Sequence, residues 1–109
     1  MKPVIIHSEA RRELDNAIQY YEKQKIGLGL DLLSEIEQAL EKIKINPNLG
    51  TAHTIEGMRR YLIRRFPYII FYVEFEAFIW VVAIAHGKRK PDYWKKRNLV
   101  LPNLPCKIN

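Results

Sequence analysis

FIWVVAIA, residues 78–85, is the most apolar run of the chain and decides how the rest is read. Its β-branched and aromatic content, without polar alternation, predicts a central strand buried on both faces. Working back, YIIFYV at 68–73 is dense in strand formers, and Phe75, Glu76 and Ala77 make the intervening turn. Phe66-Pro67 separates that strand from another over 58–65, which carries Tyr61, Leu62 and Ile63 among arginines. The three runs predict three consecutive strands.

Upstream the period changes from two to between three and four. Ala10, Leu14, Ala17, Ile18 and Tyr21 form one apolar stripe, with Ser8 as the expected N-cap. Leu33, Ile36, Leu40 and Ile43 form a second stripe, ended by Asn46-Pro47-Asn48. Gly27 and Gly29 interrupt the two, so the pair reads as a helical hairpin. Val4, Ile5 and Ile6 open the chain as a short strand, and 47–57 reads as a loop. The predicted fold is α+β in the order β-α-α-β-β-β. The helical hairpin is expected to pack on one face of the sheet. One domain over 1–97 is expected, followed by an extended Pro-containing tail over 98–109.

The 109 residues carry a formal charge of +6, and the excess is local. Residues 1–56 hold 7 basic and 9 acidic side chains, while 57–97 hold 10 basic and 3 acidic. A basic face of this kind points to a polyanion or an acidic protein. The single cysteine, Cys106, leaves no internal disulfide and no cysteine-based zinc site. His7 and His53 show no matching ligands at metal spacing, so no metal or other cofactor is expected. No apolar run approaches the roughly 20 residues of a membrane span. The opening residues lack the features of a signal peptide, so a cytoplasmic protein is expected.

Two stretches carry chemistry. Arg59, Arg60, Arg64 and Arg65 fall on one predicted strand, where alternation puts Arg60 and Arg64 on one face and Arg59 and Arg65 on the other. Guanidinium forks suit phosphate. The second stretch, HGKRKPDYWKKR at 86–97, follows the last strand. Its Lys88, Lys90 and Arg97 beside Trp94 form a candidate surface for single-stranded nucleic acid. His86 is the candidate general base or acid, because an imidazole titrates near neutrality. Arg89, with Arg60 or Arg65, would stabilise charge on a phosphate. Tyr93 and Trp94 have a plainer reading as residues that pin the C-terminal segment to the sheet.

In these motifs the sequence resembles RelE/ParE-superfamily toxins of type II toxin–antitoxin modules, often labelled plasmid stabilisation proteins. The resemblance runs through ARRELDNAIQYY (10–21), 28–43, GMRRYLIRRFPYIIFY (57–72) and IAHGKRKPDYWKKR (84–97). The RRFPY…Y pattern followed by HxxRxPxYW is its most specific part. It implies the fold above, with the helical hairpin packed on a twisted, mainly antiparallel four-stranded sheet, and a cognate antitoxin, whose acidic, partly disordered segment would meet the four arginines. It also implies a growth-inhibiting toxin. RelE-like members cut mRNA on the ribosome without a metal, which would give His86, Arg89, Tyr93 and Arg65 catalytic roles. ParE-like members inhibit DNA gyrase and have no hydrolytic activity. Arg60 and Gly87-Lys88-Arg89 match the RelE-like pattern, whereas Ile69 stands where that pattern has a further arginine. The expected activity is the metal-independent endoribonuclease. The alternatives are the gyrase inhibitor and an inactive member that only binds its antitoxin. A homodimer through the tail is compatible with the sequence.

Overall fold

A computed structural model describes residues 1–55, 57–89, 93–95 and 97. The elements are β1 (Val4–Ile6), α1 (Ser8–Gln24), α2 (Leu28–Ile45), a 3-10 turn (Pro47–Leu49), β2 (Thr51–Ala52), β3 (Met58–Leu62), β4 (Tyr68–Glu74) and β5 (Ile79–His86). The sheet has five strands in the order β1-β5-β4-β3-β2, with β1 parallel to β5 and the other pairs antiparallel. The helical hairpin on a mixed sheet is the expected α+β arrangement. The fifth strand is the difference. Two residues inside the expected loop, Thr51 and Ala52, pair with Arg60 and Arg59, and so short a strand has no hydrophobic period to read.

The central strand owes its place to residues that tolerate burial on both sides. Every residue of β5 before His86 is buried. Ile79, Val81 and Ile84 face the helix layer, where Leu14, Leu32, Ile36 and Ile43 meet them. Trp80, Val82, Ala83 and Ala85 belong to a second core on the opposite face, with Met58, Phe71 and Trp94. The consecutive pair Val82 and Ala83 shares a face because the register shifts there: Phe71 pairs with Ala83 and Tyr72 with Val81. No helix among the described residues is long and apolar enough to cross a membrane.

Two local signals resolve differently from the sequence pattern. His7, not Ser8, caps α1: its Nδ1 accepts the amide of Glu9 at 3.0 Å, and Ser8 is already helical. The start of α2 has no side-chain cap of its own. Glu22 of α1 supplies one, its carboxylate accepting from the amides of Gly27 (2.8 Å) and Gly29 (2.9 Å). An anion on those free N–H groups also opposes the positive end of the helix dipole. The tail, 98–109, with Cys106, lies outside the described residues.

Candidate functional site

β3 ends at Leu62, so strand alternation never reaches Arg64 or Arg65. The four arginines therefore separate. Arg59 turns to the helix side, where its Nη1 donates to the carbonyl of Gly50 at 2.7 Å. Arg65 pairs with Asp31 (3.4 Å) and Glu35 (3.7 Å) of α2. Arg64 lines a groove with Glu35, Gln38 and Lys42 of that helix. Only Arg60 lies on the face opposite the helices. Arg65 is thus engaged by α2 and does not line the cleft that His86 borders, so the expected catalytic grouping of the two does not form.

On that opposite face is a cleft of about 180 Å³. Its walls are Ile69 and Phe71 of β4, Ala85, His86, Gly87 and Arg89 at the end of β5, Arg60 of β3, and His53, Tyr93 and Trp94. The structure brings His86, Arg89, Tyr93 and Arg60 together, as the sequence pattern proposed. Ile69 lines the same cleft, so an arginine at that position would have added a further cation here. Lys88 is exposed in the turn after β5. Lys90 lies outside the described residues.

His86 is half-buried at the mouth. Its Nδ1 accepts the amide of Lys88 at 3.0 Å, and its ring meets Tyr68 edge-on at 5.2 Å. A neutral imidazole whose Nδ1 accepts must carry its proton on Nε2. His53 repeats the arrangement: its Nδ1 accepts the amide of Ile55 at 3.0 Å. Both rings have their acceptor nitrogen occupied by the backbone two residues on. Among the described residues no carboxylate lines the cleft.

Tyr93 is held from below. Its hydroxyl donates to Glu13 of α1. The Arg89 guanidinium lies 3.9 Å from the Tyr93 ring centroid. Burial, and then donation to the Glu13 carboxylate, push the Tyr93 phenol well above its ordinary range. Glu13 also accepts from the amide of Ile84 at 3.0 Å and pairs with Arg97 at 3.0 Å. These contacts close the side of β5 that β1, ending at Ile6, leaves uncovered; Arg97 reaches the carbonyl of Val82 at 3.4 Å. Arg97, expected as a phosphate contact, is therefore an internal ion-pair partner. Trp94, expected as a stacking surface, is 1% exposed and packs 4.6 Å from Phe71 and 5.5 Å from His53. The plainer reading of Tyr93 and Trp94 as pins describes their positions.

Glu13 and His53 were the residues that the sequence pattern did not single out. Glu13 gave no signal, since an acid beside an apolar helical stripe is ordinary. His53 gave none either; in the structure its Nδ1 takes the amide two residues on, as those of His7 and His86 do. Among the described residues no group of three or more His, Cys, Asp or Glu stands close enough to hold a metal ion.

The comparisons with known proteins agree with this architecture. A solved structure, the chromosomal ParDE TA system from P. aeruginosa, is similar with a TM-score of 0.61 at 19% identity, over 81% of this chain and 98% of that chain. At that identity the likeness is one of fold. No curated protein matches the chain. The sequence profile of the ParE toxin of the type II toxin-antitoxin system parDE matches residues 4–91, through both helices and all five strands. The chain therefore belongs to the ParE toxin family of type II toxin–antitoxin systems.

Proposed function

We propose that this toxin arrests growth by binding its target, DNA gyrase, and has no hydrolytic activity of its own. One observation carries the reading: among the described residues, the cleft that gathers the candidate catalytic residues has no group ready to accept a proton. Cleavage of RNA by its own 2′-hydroxyl needs a base within hydrogen-bond reach of that hydroxyl. His86 has its Nδ1 occupied by the Lys88 amide, and the Tyr93 phenol is kept protonated against Glu13. Arg65 is engaged with α2, and Ile69 adds no charge. Membership of the ParE family favours the same reading over mRNA cleavage. As a toxin of a type II module the protein has a cognate antitoxin. Its acidic segment is proposed to meet the exposed cations Arg60, Arg64 and Arg65.

The test is purified full-length protein added to gyrase on relaxed plasmid, beside induction of the chain alone in growing bacteria with mapping of mRNA 5′ ends. Lost supercoiling with unchanged mRNA ends is the expected result. New mRNA ends that disappear in His86→Ala would replace this reading with the endoribonuclease. Normal growth with neither effect would leave an antitoxin-binding protein without a target.

A further inference from the structure

We propose that residues 98–104 of this chain lie extended across the sheet face opposite the helices, over Trp80, where one of their carbonyls accepts the Trp80 indole N–H. That face has two ends. One is the cleft at the end of β5; the other, where β1 runs beside the start of β5, centres on Trp80. Ile5 and Val73 flank Trp80 on the neighbouring strands, and Phe75 and Phe78 belong to the turn beside it. Among the described residues no side chain of α1 or α2 belongs to this core. Trp80 is nevertheless only 3% exposed, and its Nε1–H has no hydrogen-bond partner among the described residues. A donor buried in that way calls for an acceptor. His7, whose ring centroid is 5.4 Å from that of Trp80, cannot supply one. Its Nδ1 already accepts the Glu9 amide, so in the neutral ring Nε2 carries the proton and donates.

The course of the chain after β5 selects the occupant. Beyond His86 it folds back along β5 toward the start of that strand. Trp94 packs on Phe71, the register partner of Ala83, and Arg97 reaches the carbonyl of Val82. Val82 is two residues from Trp80, about 7 Å along the strand. Five extended residues beyond Arg97 span up to about 17 Å, so Leu99, Val100 and Leu101 are within reach of Trp80 and its rim. Composition agrees. Residues 98–104 read NLVLPNL and carry no charge. Their apolar side chains gain by leaving water, and the partly buried Ile5, Phe75 and Phe78 offer the matching surface. Pro102 and Pro105 keep the run from continuing as a helix, while every carbonyl of the run remains an acceptor. The strongest rival surface is the tip of the helical hairpin, where Ile26 is 92% and Leu30 64% exposed. It lies at the far end of α1 from His7, about 25 Å away along the helix. Among the described residues no unpartnered buried side-chain donor is found there. The inference does not depend on gyrase being the target.

The full-length protein tests this without substitution, because Cys106 is its single cysteine. A nitroxide on Cys106 of ¹⁵N-labelled protein broadens the signals near it, and reduction of the nitroxide restores them. The indole N–H of Trp80 and the amides of Ile5 and Phe78 should lose intensity, while the amides of Ile26 and Leu30 keep theirs. A mixture of nitroxide-bearing ¹⁴N protein with nitroxide-free ¹⁵N protein should show no loss at the same sites. Leu99→Ser with Leu101→Ser should abolish the loss and speed exchange of the Trp80 indole proton about fivefold or more, with the amides of α1 unchanged. Lys107→Gln, which alters the charge of the segment and not its apolar run, should leave both readouts as they are. Loss concentrated at Gly87 and Arg89 or at the hairpin tip, loss of equal size in the mixture, or no localised loss would overturn the proposal. The segment would then lie elsewhere, on a second copy, or on no fixed surface. A Trp80 indole that stays protected in the double variant would overturn it as well, since its acceptor would then be another group. Because these readouts involve no gyrase, failure here and failure of the gyrase reading are separate results.

Discussion

Glu13 and Tyr93 stand 80 residues apart in the chain and share a hydrogen bond that ties the segment after β5 to the middle of α1. The same carboxylate accepts from the Ile84 amide and pairs with Arg97. Glu13→Ala leaves three donors without their acceptor in a largely buried place. Breaking such a cluster is expected to cost about 3 kcal/mol. Tyr93→Phe removes one hydrogen bond and is expected to cost about 1 kcal/mol. Urea unfolding followed by tryptophan fluorescence measures both, and a double-mutant cycle gives the coupling between the two residues.

A second buried phenol holds the opposite edge of the sheet. Tyr72 is 0% exposed. Its hydroxyl donates to the carbonyl of Pro47 at 2.8 Å and accepts the amide of Gly50 at 2.8 Å. These bonds anchor the 3-10 turn and, through it, the two-residue strand β2. Tyr72→Phe is expected to cost about 2 kcal/mol, since the Gly50 N–H and the Pro47 carbonyl lose their partner together. Hydrogen exchange should show the Gly50 amide losing protection while the amides of β5 keep theirs. Uniform loss across both would mean that Tyr72 supports the whole sheet.

These two tyrosines mark what could and could not be read from sequence. The apolar run at 78–85 dictates a doubly buried strand, and the two helical stripes dictate a hairpin. Both depend on periodicity that extends over many residues, and both are present. Arg64 and Arg65 were assigned faces by extending strand alternation three residues beyond Leu62, where the strand has ended. The sequence contains no mark for that end, because Ile63 is as good a strand former as its neighbours. His86, Arg89 and Arg60 were legible as a candidate grouping, and line one cleft, because cations beside aromatics stand out in composition. The ion pair of Arg97 and the hydrogen bond of Tyr93 were not, because both depend on Glu13, brought there only by the packing of α1 on β5.

His7 gives the fold a dependence on pH. Burial first, and then the Arg97 charge, lower its pKa below the ordinary 6.5, against the smaller opposing effects of Glu9 and Glu13. The unfolded chain therefore binds a proton at a higher pH than the folded one. Stability contributed by neutral His7 is present above about 6.5 and declines as the pH falls below that value. His7→Asn keeps a cap acceptor for the Glu9 amide but removes the titration. Melting temperatures of the two proteins between pH 7.5 and 5 should converge or cross as acid is added. Parallel curves would show that His7 does not titrate differently on folding.

The turn of the helical hairpin allows a prediction in which packing and helix propensity give opposite answers. Gly29 lies in the first turn of α2, where propensity alone favours alanine by about 1 kcal/mol. A Cβ at Gly29, however, would collide with the carbonyl oxygen of Ile18 and sit 2.9 Å from the Glu22 carboxylate that caps α2. Backbone cannot move aside as a side-chain end can, so the hairpin must open. Gly29→Ala is expected to cost about 2 kcal/mol. Gly27 has open space around it but a φ of 91°. Gly27→Ala therefore meets only conformational strain, expected at about 1 kcal/mol. Chemical denaturation of the two variants distinguishes the causes. A smaller loss at Gly29 than at Gly27 would mean that the close approach of the helices relaxes freely, and that the Glu22 cap does not depend on it.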